Sequence, residues 1–82
     1  MYDYVNIYLV VLMLKEELGA RLKECRVGLG LTQKEIADKL GVAQSVYQRF
    51  EKGIFECNYE QLKLLCEIFD VSADYLLGIS DF

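Results

Sequence analysis

Gln44, Ser45, Gln48, Arg49 and Lys52 lie between and around the apolar residues Val46, Tyr47 and Phe50. At helical spacing the apolar three share one face, and the polar five point away from it. Amides, a hydroxyl and cationic groups side by side offer donors and acceptors for gripping another molecule's polar surface. They do not make a catalytic set. The chain has no His, which removes imidazole acid–base chemistry and imidazole metal ligands. Asp70, Asp74 and Asp81 are close in sequence but fall at helix starts and the tail, and no nucleophile–base pair stands out. Cys25, Cys57 and Cys66 are odd in number and lack a CxxC spacing, which argues against a disulfide framework and against a metal site. Cys25 and Cys66 fall on apolar stripes as small core residues, and Cys57 falls in a loop. No enzyme, cofactor or metal is expected, and the thiols fit a reducing, cytoplasmic setting.

Four elements must position this polar face. Leu14, Leu18, Leu22, Cys25 and Leu29 recur every three or four residues and predict a first helix, ended by Gly28-Leu29-Gly30. Thr32-Gln33-Lys34-Glu35 has the T-x-x-E spacing of a capping box, which opens a short second helix with Ile36, Ala37 and Leu40 inward and Gly41 at its end. The third helix carries the polar face and ends at Gly53. After a loop from Ile54 to Cys57, Asn58 and Gln61 cap a fourth helix with Leu62, Leu65, Cys66 and Phe69 on its stripe. Ser72 caps a last short helix through Asp74, Tyr75, Leu76 and Leu77, ended by Gly78. At 82 residues the chain has room for one small domain.

The stretch before these helices reads differently. Tyr4 to Leu12 is dense in β-branched and aromatic residues, which favour extended chain. With period two, Val5, Ile7, Leu9 and Val11 share one face. The expectation is a strand, with a helix running on into the next element as the alternative. A lone strand leaves its edge unsatisfied, so it calls for the same strand of a second copy, antiparallel about a two-fold axis. The expected division is an apolar arm over 1–13 and a domain over 14–82. The apolar run is far shorter than the roughly 20 residues of a membrane span. It also lacks the preceding positive charge of a secretory signal.

Two short helices joined through Gly41-Val42-Ala43 have the geometry of a helix-turn-helix. In that geometry the second helix enters the DNA major groove and the first crosses the backbone. Small Ala37 lets the helices approach, and Gly41 supplies the positive φ of the turn. The residues also carry a resemblance. Leu31-Thr32-Gln33-Lys34-Glu35-Ile36-Ala37-Asp38-Lys39-Leu40-Gly41-Val42 resembles the signature of the Cro/repressor-type (XRE) helix-turn-helix family. Tyr47-Gln48-Arg49-Phe50-Glu51-Lys52-Gly53 resembles the end of its recognition helix, and Val71-Ser72-Ala73-Asp74-Tyr75-Leu76-Leu77-Gly78 its closing helix. The likeness runs from about Leu14 to Phe82.

The resemblance implies an all-α, five-helix, lambda-repressor-like DNA-binding domain acting as a dimer on double-stranded DNA, with its reading head over 32–53. By the same resemblance Gln33, between Thr32 and Lys34, binds a phosphate, which suits the positive end of a helix. Gln44 reaches a base edge, where a Gln amide can pair with adenine N6 and N7. Ser45 and Gln48 face the groove, Arg49 reads guanine or binds phosphate, and Lys52 touches phosphate. Arg26 and Glu51 match a pair that ties the first helix to the end of the recognition helix. Two residues depart from the pattern. Ala43 replaces the usual Ser or Thr cap, a loss of about 1 kcal/mol, together with a hydroxyl contact to DNA. Tyr47 replaces a smaller residue; its ring is expected in the inter-helix core with its hydroxyl reaching the edge.

The formal charge of −4 excludes a basic tail or polybasic arm as the main device. It stands against binding driven by phosphate neutralisation, so modest non-specific affinity and real salt sensitivity are expected. It is unevenly spread: residues 32–53 are net +1 and residues 54–82 net −5. The binding face can still be positive, and the function expected from the resemblance is a sequence-specific transcriptional regulator, a repressor on a palindromic operator, working as a homodimer. Two alternatives use the same fold: a DNA-binding antitoxin whose arm holds a toxin, and a protein-binding module without DNA binding.

Overall fold

The structure, a computed structural model, describes residues 7–54 and 57–79, with side chains from Met13 onward. The described chain is helical: α1 (Ile7–Gly28), α2 (Gln33–Leu40), α3 (Gln44–Glu51), α4 (Tyr59–Phe69) and α5 (Ala73–Leu76). Leu22, Ile36, Ala37, Leu40, Tyr47, Phe50, Leu65, Phe69 and Leu76 form the buried core, so every helix contributes to it. α1 lies against α3 and α5, α2 packs on α3 and α4, and α5 rests on α4. The Tyr47 and Phe50 rings meet edge-to-face at 6.3 Å. On the other side of α1, Arg21 lies 4.7 Å over the Tyr75 ring.

The caps follow the local sequence. Thr32 Oγ1 accepts from the Glu35 amide, and Glu35 Oε1 accepts from the Thr32 amide, each at 3.1 Å. Asn58 and Gln61 make the same reciprocal pair at 2.8 and 2.9 Å. The Ser72 hydroxyl accepts from the Tyr75 amide at 3.0 Å. Gly41 adopts φ 72°, and the Val42 amide donates back to the Ala37 carbonyl at 3.0 Å, which closes α2 and turns the chain toward α3.

The strand expected for the N-terminal arm does not form. Ile7, Leu9 and Val11 lie on α1, and Val5 lies outside the described residues. Strand propensity expresses packing on a sheet, and the described chain has no sheet. Extending a helix already anchored by its packed half adds one hydrogen bond per residue without a new nucleus. The boundary drawn after residue 13 therefore falls inside a continuous helix.

Two residues of the expected stripe on α1 are exposed. Leu14 is 50% exposed and Leu29 is 54% exposed. Among the described side chains of α1, from Met13 onward, Leu18 is the first packed against the core, and Leu14 lies ahead of it. Leu29 lies beyond the end of α1.

Candidate nucleic-acid interface

α2 and α3 present their N-terminal ends at one cleft beside α1. Lys23 and Arg26 of α1, Leu31 and Thr32 of the connection, Gln33 of α2, Gln44 and Glu51 of α3 and Lys52 line it. Gln33 is the first residue of α2 and Gln44 the first of α3. Gln44, Ser45, Arg49 and Lys52 are exposed, and Gln48 is half-buried. The polar side chains of α3 thus stand outward while Tyr47 and Phe50 are buried.

Arg26 and Glu51 form the anchor of this face. Arg26 Nε donates to Glu51 Oε2 at 2.6 Å and Nη2 to Oε1 at 3.1 Å, a two-pronged charge-assisted pair. Its third nitrogen, Nη1, donates to the Leu31 carbonyl at 3.0 Å. One side chain of α1 therefore holds both the last residue of α3 and the entry to α2. The side chains are only 14% and 4% exposed. Burial would raise the Glu51 carboxyl, but the hydrogen bonds and charge of Arg26 and the hydrogen bond from Gln33 outweigh it and hold the carboxyl below its ordinary value. The bond to Glu51 raises Arg26 in turn, against the opposing effect of burial.

The structure refines the site residues. Gln33 Nε2 donates to Glu51 Oε1 at 3.1 Å, so one amide hydrogen is committed inside the protein. Thr32 is engaged in its capping box. Lys34 pairs with Asp38 at 3.0 Å, both well exposed, a pairing that costs little to exchange for another anion. Ala43 occupies the N-cap of α3 with extended backbone and no side-chain cap. The Tyr47 hydroxyl does not reach the edge. The residue is fully buried, and the hydroxyl has no partner in hydrogen-bond geometry. Burial, then the adjacent Glu51 charge, push the phenol strongly upward, so it stays neutral. The side chains of the expected dimerisation residues Val5, Ile7, Leu9 and Val11 lie outside the described residues.

Two residues that the sequence reading passed over matter here. Lys23 lies one turn before Arg26 and lines the same cleft; its i, i+3 spacing was the available signal. Gly19 lies where a Cβ would come within 2.4 Å of the Glu51 carbonyl oxygen and 2.7 Å of that of Phe50. Its absence of a side chain lets α1 touch the end of α3. A lone Gly inside a helical pattern was the clue.

Two short helices joined by a left-handed glycine turn, with the second presenting an outward polar face, define a helix-turn-helix protein. The helix-turn-helix family profile matches residues 22–76, and the chain belongs to that family, in its Cro/repressor (XRE) branch. It is similar to the uncharacterised HTH-type transcriptional regulator YqaE of Bacillus subtilis (strain 168), at 46% identity over 56 residues, covering 68% of this chain and 48% of that protein. The HTH-type transcriptional regulator ImmR of the same organism is 41% identical over 61 residues, covering 74% and 48%. The chain thus spans about half the length of the curated relatives it matches. The crystal structure of the clp gene regulator ClgR from C. glutamicum superposes with a TM-score of 0.71 at 31% identity, covering 79% of this chain and 84% of that one.

Proposed function

We propose that this chain is a sequence-specific DNA-binding transcriptional regulator, acting as a repressor on a palindromic operator as a cytoplasmic homodimer. The observation that carries the reading is the outward polar face of α3, held at both ends: by the glycine turn at Gly41 and by the Arg26–Glu51 pair. In this reading Gln44, Ser45, Gln48 and Arg49 meet base edges. Thr32, Gln33, Lys34, Ala43 and Lys52 meet the backbone and fix the register, a division of labour general to protein–DNA interfaces. The family and the names of its relatives support it. Among the described residues no helix is long and apolar enough to cross a membrane.

Selection of bound fragments from randomised duplex DNA tests the reading, with the full chain at low and moderate salt. The expected result is recovery of one motif in two inverted half-sites, their centres about 34–36 Å apart. Recovery of no motif at either salt overturns it and returns attention to the protein-binding alternative. A motif with one half-site overturns the homodimer alone.

A further inference from the structure

We propose that Lys23 of α1 is a DNA-backbone contact, so that the interface extends beyond the helix-turn-helix onto the first helix. The inference rests on the DNA-binding reading above. Lys23 lines the cleft into which Gln33, Gln44 and Lys52 also project. Among the residues lining this cleft the cations are Lys23, Arg26 and Lys52, and Glu51 is the one acid. Glu51 and Arg26 neutralise each other through the two-pronged pair. Neither Lys23 nor Lys52 makes an ion pair among the described residues. The cleft is therefore left with two uncompensated ammonium groups, one on α1 and one at the end of α3, in a chain whose overall charge is −4.

An ammonium on a flexible stem is a point-charge phosphate ligand that needs no fixed geometry. Lys52 stands at the end of α3 and Lys23 on α1, so a phosphate seated between them is gripped from two elements. Gln33 and Gln44 line the same cleft and add amide groups to it. The charge is local: the acids of residues 54–82, net −5, contribute nothing to the cleft lining. Lys23 is a positioning contact. It carries no sequence information, so its loss should weaken all duplexes alike.

The experiment is a salt titration of binding to the selected operator duplex and to a mixed-sequence duplex, between roughly 50 and 200 mM salt. It compares the full wild-type chain, Lys23→Ala, and Lys63→Ala as a control that removes the same charge from α4. Lys23 is exposed on a helix surface, so alanine there is expected to keep the fold, as melting curves would verify. The expected result is a slope of log affinity against log salt that is shallower by about 0.9 for Lys23→Ala. Affinity should fall by the same factor on both duplexes, with Lys63→Ala unchanged. Equal effects of the two variants would reduce the result to net charge and overturn the assignment, as would an unchanged slope in Lys23→Ala. Wild-type chain that binds neither duplex at low salt overturns the DNA reading itself, which is a distinct outcome.

Discussion

Glu51 holds a carboxylate almost wholly out of water, and hydrogen bonds from Arg26 and Gln33 keep it ionised there. Because its folded pKa is depressed, it stabilises the fold above the unfolded-state value of about 4.3, and that stabilisation is lost as pH falls through the lower folded value. Glu51→Gln leaves the Arg26 guanidinium buried without its counter-ion and is expected to cost about 3 kcal/mol near neutral pH. Urea denaturation from neutral pH into acid should show the gap between variant and wild type closing as the wild-type carboxyl protonates. A gap that stays constant into acid would show that Glu51 does not titrate as argued. Tyr47 poses the opposite case. Its hydroxyl is buried and has no partner in hydrogen-bond geometry, so it carries a desolvation cost without a compensating bond. Tyr47→Phe keeps the ring and its edge-to-face contact with Phe50. It is expected to leave stability unchanged or raise it by up to about 1 kcal/mol. A clear loss would mean that a buried water satisfies the hydroxyl.

The helices differ in how their ends are finished, and this is where engineering should register. α2 and α4 have full capping boxes, but α3 begins at Ala43 with no side-chain acceptor. The Ala43 backbone is already extended, at φ −67° and ψ 149°, the conformation of a capping residue. Ala43→Ser should therefore add about 1 kcal/mol, read as a higher melting temperature. No gain would place the serine oxygen out of reach of the Ser45 and Val46 amides. Gly19 sets the contact between α1 and α3. Alanine is favoured over glycine inside a helix by about 1 kcal/mol. At this site, however, its methyl would press on two backbone carbonyls at 2.4 and 2.7 Å, which no rotamer change relieves. Gly19→Ala is therefore expected to destabilise by about 1–3 kcal/mol and to weaken operator binding by shifting α3 against Arg26. A stabilised variant in thermal melts would show that α1 and α3 can separate without cost.

Across the whole molecule, charge is unevenly distributed along the chain. The reading head is net +1 and the C-terminal third net −5, so an acidic protein keeps a cationic cleft on one side. Met13 and Leu14 are 60% and 50% exposed on α1, where it runs ahead of the core. Over residues 7–13 the arm is helix and offers no strand edge, but its sequence is still apolar. Light scattering on the full chain is expected to give a dimer, and substituting Met13 and Leu14 together by Lys should shift it toward monomer without unfolding the core. A dimer that survives this change would place the contact elsewhere.

How much of this was legible in the sequence depended on the range of the interaction involved. Thr32 and Glu35, Asn58 and Gln61, Ser72 and Gly41 act within a few residues of themselves, so helix starts, stops and the turn could be read from spacing alone. The stripes of α2 and α3 likewise placed Ile36, Ala37, Leu40, Tyr47 and Phe50 inside. The arm misled because β-branched residues express their preference only against a sheet, and here the nearest ordered neighbour is a helix that can simply continue. The burial of the Tyr47 hydroxyl, the bond from Gln33 to Glu51, the contact at Gly19 and the position of Lys23 on the cleft are distances between separate helices. One strand of sequence holds no record of how closely two helices approach; only their packing decides it.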